Sequence, residues 1–157
     1  MPNWCWNNVT ISHPDKTKIA ALVEELEKEK DCNLLHSIRP RLEESIDWCI
    51  RNWGTKWDVD VHDWEMDDFL DTRISIAFDS AWSPPIALYD YMTQQGFQID
   101  ALYFEEGEGF VGKYVDGIDD CYDTNDDLDV IPEDLIEYSG LYNKEEEDHG
   151  ENSNTGC

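Results

Sequence analysis

The residue string best suited to holding a ligand runs from Asp123 to Asp134, where Asp123, Asn125, Asp127 and Asp129 fall on positions 1, 3, 5 and 7 of a calcium-hand loop and Asp134 on position 12. Carboxylate and amide oxygens at that spacing suit a hard divalent cation. Three features argue against it: Leu128 stands where the loop's sharp turn needs glycine, Pro132 lies late in the loop, and Asp replaces the bidentate Glu. No helical pattern precedes the string either, so a solvated acidic loop is the simpler account. No metal or other cofactor is expected.

A second constellation is aromatic. Trp48, Trp53, Trp57 and Trp82, with Asn52, Thr55, Lys56 and Asp58 around them, have the indole faces that bind cations and bases and the polar groups that would orient a small ligand. The same tryptophans at helix and strand spacing also describe a packed core, which is the simpler reading. A ligand corner made of Asn52, Trp53, Lys56, Trp57 and Trp82 is the alternative. Nucleophilic chemistry has only candidates by residue type, in Cys5, Cys49, His36 and His62. Among 37 Asp and Glu no pair is singled out for general acid and base work, and no catalytic residue is assigned.

The elements that must carry these groups follow from periodicity. Trp4 to Ile11 reads as a strand, and Ser12-His13-Pro14-Asp15 as its end and the start of a helix with Ser12 as N-cap. Ile19, Leu22, Val23 and Leu26 then form one apolar helical stripe. Leu42, Ile46, Cys49, Ile50 and Trp53 predict a second helix, closed by Gly54. Trp57, Val59 and Val61, and then Ile74, Ile76 and Phe78, alternate with polar residues as two strands. Ser83-Pro84-Pro85 starts a third helix with Ser83 as cap, Gly96 ends it, and Phe97 to Tyr103 pairs across Glu106-Gly107-Glu108-Gly109 with Phe110 to Val115. Without the extra helix and the last hairpin strand the order is βαββαβ. That order predicts an α+β ferredoxin-like split βαβ sandwich, an antiparallel sheet with helices on one face.

The division expected is a domain over 1–116, an acidic extension over 117–143 in which Ile131, Leu135, Ile136 and Leu141 can form a docking helix after Pro132, and a disordered tail over 144–157. Length and aromatic content are enough for a real core. Charge is the outlying property: a formal net charge of −26 on 157 residues, with 18 acidic residues against two basic ones, Lys113 and Lys144, from Glu105 onward. Phosphate binding needs clustered Lys and Arg, so direct nucleic-acid binding is disfavoured, as is an anionic membrane surface. No apolar run is long enough to span a bilayer. Five widely spaced cysteines suit reduced thiols.

Three strings stand together: Pro2-Asn3-Trp4-Cys5-Trp6-Asn7, then Trp48-Cys49-Ile50-Arg51-Asn52-Trp53-Gly54-Thr55-Lys56-Trp57-Asp58, then Phe78-Asp79-Ser80-Ala81-Trp82-Ser83-Pro84-Pro85. With Tyr103-Phe104-Glu105 and Gly109-Phe110-Val111-Gly112 they resemble the YubB ferredoxin-like family of small bacteriophage and plasmid proteins, over about residues 2–115. The resemblance implies a ferredoxin-like fold without an iron–sulfur cluster and a mobile-element origin; it implies no reaction and carries over no catalytic residue.

Charge and resemblance together give the functional expectation, a non-enzymatic inhibitor in the cytoplasm of a bacterial host cell. Its partner would be a host protein with a basic surface, a nucleic-acid-handling defence enzyme approached by DNA mimicry. The contact residues expected are Glu105, Glu106, Glu108, Asp116, Asp119, Asp120, Asp123, Asp126 and Asp127. A nucleotide-sequestering domain using the Trp-rich corner and a metal-dependent hydrolase are the alternatives.

Overall fold

The computed structural model describes residues 3–28 and 30–141. Six strands form one sheet: β1 (Trp4–Ser12), β2 (Asp60–Met66), β3 (Arg73–Ala81), β4 (Gln98–Glu105), β5 (Phe110–Val115) and β6 (Ile118–Asp123). Their order is β2-β3-β1-β4-β5-β6 and every neighbouring pair is antiparallel. Three helices, α1 (Lys16–Leu26), α2 (Leu34–Ile38) and α3 (Ile46–Asn52), lie between β1 and β2. A fourth, α4 (Ile86–Gln94), joins β3 to β4, and α5 (Glu133–Ser139) follows β6. The protein is thus α+β with a six-stranded antiparallel sheet and five helices among the described residues.

Strand alternation gives the sheet two faces. Val9 and Ile11 of β1, Ile74, Ile76 and Phe78 of β3, and Ile99 and Ala101 of β4 point one way, into a core completed by Ile19, Leu22 and Leu26 of α1, Trp48 of α3 and Leu88, Tyr89 and Met92 of α4. This inner face carries the main core. Leu102 and Phe104 of β4 and Val111 of β5 have the opposite parity and meet Ile131, Leu135, Ile136 and Leu141, so α5 lies on the outer face over a second, smaller core. The expectation of helices on one face is corrected here.

Other differences have local causes. Asp15, not Ser12, caps α1: its carboxylate accepts the Thr17 N–H at 3.0 Å, while Ser12 stays in β1 and bonds Gln98 across the sheet. Ser83 does not cap α4 but donates to the Gly54 carbonyl at 2.6 Å. The second helix expected from Leu42 onward is shorter, because Leu42 is 82% exposed and Ser45 caps α3 through the Trp48 N–H. Gly54 behaves as expected at φ +92, receiving no side chain because a Cβ there would meet the Ile86 nitrogen at 2.9 Å. A bulge between Val61 and Asp63 moves β2 off the expected alternation, and Trp57 lies before the strand and is partly exposed.

The sheet continues past Asp116. β6 pairs with β5 over its whole length although its sequence, Ile-Asp-Asp-Cys-Tyr-Asp, shows little of the β-branched signature. A cross-strand device secures it: Tyr103 of β4 lays its ring over Gly112 of β5 and its hydroxyl donates to Asp119 of β6 at 2.5 Å. The expected docking helix is present as α5, while the tail over 144–157 lies outside the described residues.

Candidate functional site

The acidic end of the sheet is built from β6, the turns on either side of it and the loop leading to α5. A tight turn brings Glu106 and Glu108 between β4 and β5, Asp116 and Gly117 form the β5–β6 connection, and Asp123 to Asp129 lead away from β6. Of the nine residues expected to contact a partner, eight are exposed here. Glu105 is not: it is 1% exposed and its two carboxylate oxygens accept the N–H groups of Gly107 at 2.8 Å and Glu108 at 2.6 Å. It holds the turn that displays its neighbours and cannot itself reach a partner.

Several of the exposed acids also brace the backbone. Asp116, at φ +45, accepts the Ile99 N–H at 2.8 Å and ties the β5–β6 turn to β4. Asp119 accepts the Tyr103 hydroxyl; partial burial pushes its carboxyl above the usual carboxylate range against the effect of that bond. Asp123 accepts from Asn125 N–H and Asp127 from Asp129 N–H. Lys113 sits beside this region on β5, held by Asp134 at 2.9 Å, and the pairing lowers the Asp134 carboxyl and raises the Lys113 amine. Over residues 114–141 the sequence has ten Asp and Glu and no Lys or Arg. Apart from Lys113, paired with Asp134, this stretch presents anionic oxygens with no base of its own.

The calcium-hand string is not assembled into a shell. Asp123 is turned to Asn125, Asp127 to Asp129, and Asp134 to Lys113. Among the described residues no group of three His, Cys, Asp or Glu side chains is placed to hold a metal ion.

The tryptophan corner divides. Trp53 is 1% exposed, edge-on to Trp48 at 5.5 Å, with its indole N–H donating to the Arg39 carbonyl; Asn52 turns back to the Trp48 carbonyl. Both are structural. Lys56, Trp57 and Trp82 reach the surface, with the Lys56 ammonium 4.3 Å from the Trp82 ring centroid. Trp82 holds φ +73, uncommon for a bulky residue, fixed by its N–H to the Asn3 carbonyl at 2.8 Å. Trp57 meets Trp4, whose ring lies 6.5 Å away. Trp4 and Trp6, neither expected at a site, are 40% and 49% exposed on the outer face. The signal was available in strand alternation, because Cys5, Asn7 and Val9 claim the inner face and leave Trp4 and Trp6 outside.

The nucleophile candidates are engaged elsewhere. Cys5 is fully buried and desolvation holds its thiol protonated, its pKa well above the usual thiol value. Beside it Asn7, 1% exposed, donates to the Cys5 carbonyl and the Ser80 hydroxyl and accepts from Tyr89. His36 accepts the Arg41 N–H through Nδ1, and His62 contacts Asp79 at 2.8 Å. Among the described residues neither histidine is hydrogen-bonded to a cysteine, and no helix is long and apolar enough to cross a membrane.

Compared with models of known protein families, with curated proteins and with solved structures, the chain matches none.

Proposed function

We propose that the chain is a non-enzymatic binding protein of a phage or related mobile element that docks its acidic end on the basic surface of a host protein and blocks it. The target class favoured is a nucleic-acid-handling defence enzyme, approached as a mimic of DNA. The carrying observation is the run of ten acidic residues without a base over 114–141, held on β6, its turns and α5 rather than left on a loose extension. A fixed single-sign surface steers a basic partner over several ångströms and repels nucleic acid and anionic lipid.

The proposal includes membership of the YubB ferredoxin-like family. What supports it is the strand order β2-β3-β1-β4 with helices α1 to α3 after β1 and α4 after β3, an arrangement that a split βαβ unit extended by β5, β6 and α5 would have. A bacterial cytoplasmic setting belongs to the same reading.

The test is capture from a bacterial lysate on immobilised full-length protein, alongside a variant carrying Asp116→Asn, Asp120→Asn, Asp123→Asn, Asp126→Asn and Asp127→Asn. DNA-handling proteins should be retained at low salt and released both by salt and by neutralisation. A retained set indifferent to both removes the proposal. The exposed pair Trp57 and Trp82, with Lys56 between solvent and ring, favours small-ligand binding as a second reading. Stabilisation by nucleotides in a thermal-shift screen would select it, and stabilisation by divalent ions would select a metal-dependent activity.

A further inference from the structure

Among the described residues, nothing covers half of the outer face of the sheet. α5 and the segment before it lie on β4, β5 and β6, where Leu102, Phe104, Val111 and Tyr122 meet them. On β1 and β3 the outer positions Asn8, Thr10, Ser75 and Ala77 instead floor a shallow depression of about 390 Å³, rimmed by Asp63 and Glu65 of β2 on one side and Asp100 of β4 on the other. A neighbouring depression of about 320 Å³ lies between Trp6, His62, Asp79 and Tyr138 of α5. Register makes them one surface: Asp60, Asp79, Trp6 and Phe104 stand in one cross-strand row, and Asp63, Ala77, Asn8 and Leu102 in the next.

We propose that this uncovered half-sheet docks an extended, arginine-bearing segment of the protein partner, with a guanidinium stacked on Trp6; this rests on the reading above that the partner is basic. Two observations carry it. Trp4 and Trp6 leave two of the largest apolar side chains substantially wet on one strand face, the pattern of an unoccupied anchor site. Charge complementarity selects the occupant, because among the described residues no Lys or Arg lines either depression while Asp63, Glu65, Asp79 and Asp100 do.

Arginine satisfies both demands at once, stacking its plane on an indole while its N–H groups meet carboxylates. The asparagine and hydroxyl floor gives an extended backbone hydrogen-bond partners that an apolar floor would not. The chain already uses such contacts internally, with Arg39 over Tyr91 at 4.7 Å and Lys56 over Trp82. A nucleic acid would meet four carboxylates here and is repelled.

The probe is a labelled nine-residue peptide, Gly-Ser-Arg-Ser-Arg-Ser-Arg-Ser-Gly, titrated with the full chain by fluorescence anisotropy at low salt. Trp6→Ala, and separately the combination Asp63→Asn, Glu65→Gln and Asp100→Asn, should each weaken binding about tenfold. Ser75→Lys, at an exposed floor position, should do the same without removing any packing. Neutralising Asp120, Asp123 and Asp126 should change affinity less than about threefold, the range of a remote surface charge. Weakening by the β6 changes with none by Trp6→Ala or Ser75→Lys overturns this docking face while leaving the basic partner in place. Absence of any peptide binding to the unaltered chain sinks both. Spermine competing as well as the peptide at equal charge, or a Lys-for-Arg peptide binding equally, also overturns it, since the face would then sense charge alone.

Discussion

Changing Gly112 to Ala should destabilise the protein although Gly→Ala in a strand interior ordinarily helps. A Cβ on Gly112 would stand 2.1 Å from Cζ and 2.2 Å from the hydroxyl oxygen of Tyr103, inside any real contact distance. The ring cannot step aside cheaply: Tyr103 is buried, Phe110 lies edge-on at 6.0 Å, and the hydroxyl is held by Asp119. Overpacking costs about 1–3 kcal/mol. Losing the Tyr103–Asp119 hydrogen bond adds about 1 kcal/mol. The usual backbone gain of about 0.5–1 kcal/mol offsets only part of this. A net loss of about 1–3.5 kcal/mol is expected, which for a chain of this size lowers Tm by about 2–14 °C. Urea unfolding followed by circular dichroism measures it. In a Tyr103→Ala background the same Gly112→Ala change should cost less than about 0.5 kcal/mol, because the clashing ring is gone. Equal costs in the two backgrounds, or no cost in the first, would refute the claim that Tyr103 packs over Gly112 to hold β6.

Asn7→Ala should cost about 2–4 kcal/mol in the same assay, since it strips partners from the buried Ser80 and Tyr89 hydroxyls and opens a small void, whereas a change at the exposed neighbour, Asn8→Ala, should cost under about 0.5 kcal/mol. Lys113→Met should lose no more than about 1 kcal/mol at pH 7, as befits a half-exposed pair. The Asp134 carboxyl is lowered in the folded protein, so its contribution is present above the usual carboxylate pKa and is lost as pH falls through the folded value. The gap between Lys113→Met and the unaltered chain should therefore close below about pH 4, and a gap that persists there contradicts the pairing. Asp119 carries the opposite sign: its raised pKa means the folded state binds a proton more readily, so Asp119→Asn should flatten a gain in stability that the unaltered chain shows as pH falls through the folded Asp119 value. Scanning Tm against pH for both chains checks this.

Much of the inner architecture was legible because burial imposes period. The α1 stripe, the Ile74, Ile76 and Phe78 alternation, the Gly54 stop and the β4–β5 hairpin all follow from residues whose faces are decided by the core. What escaped were elements whose residues answer to neighbours rather than to their own period. α2 is five residues long, and Asp58, distant in sequence, supplies acceptors for its Leu35 and His36 N–H groups at 2.9 and 3.0 Å. β6 has acidic residues where a strand would show branched apolar ones, and β5 with Tyr103 settles its pairing.

The candidate site was legible in part for the same reason. Charge identified the acidic end, but exposure could not be read from charge: Glu105 looks like its neighbours in sequence and is buried by the turn it holds. Trp53 and Trp57, four residues apart, fall on opposite sides of the core boundary because Trp53 is the C-cap of α3 and Gly54, at positive φ, turns the chain away before Trp57. The uncovered outer half-sheet depends on where α5 settles, which no local pattern of β1, β2 or β3 contains.

On the proposed function, the acidic surface takes the place of nucleic acid on a basic partner. The measurement that meets it most directly is competition: a partner captured from lysate is titrated with the full chain in the presence of labelled duplex DNA, at several salt concentrations. Chain and DNA should exclude one another, and the chain's affinity should fall steeply as salt rises. A ternary complex of partner, DNA and chain, with an affinity unmoved by salt, would contradict it.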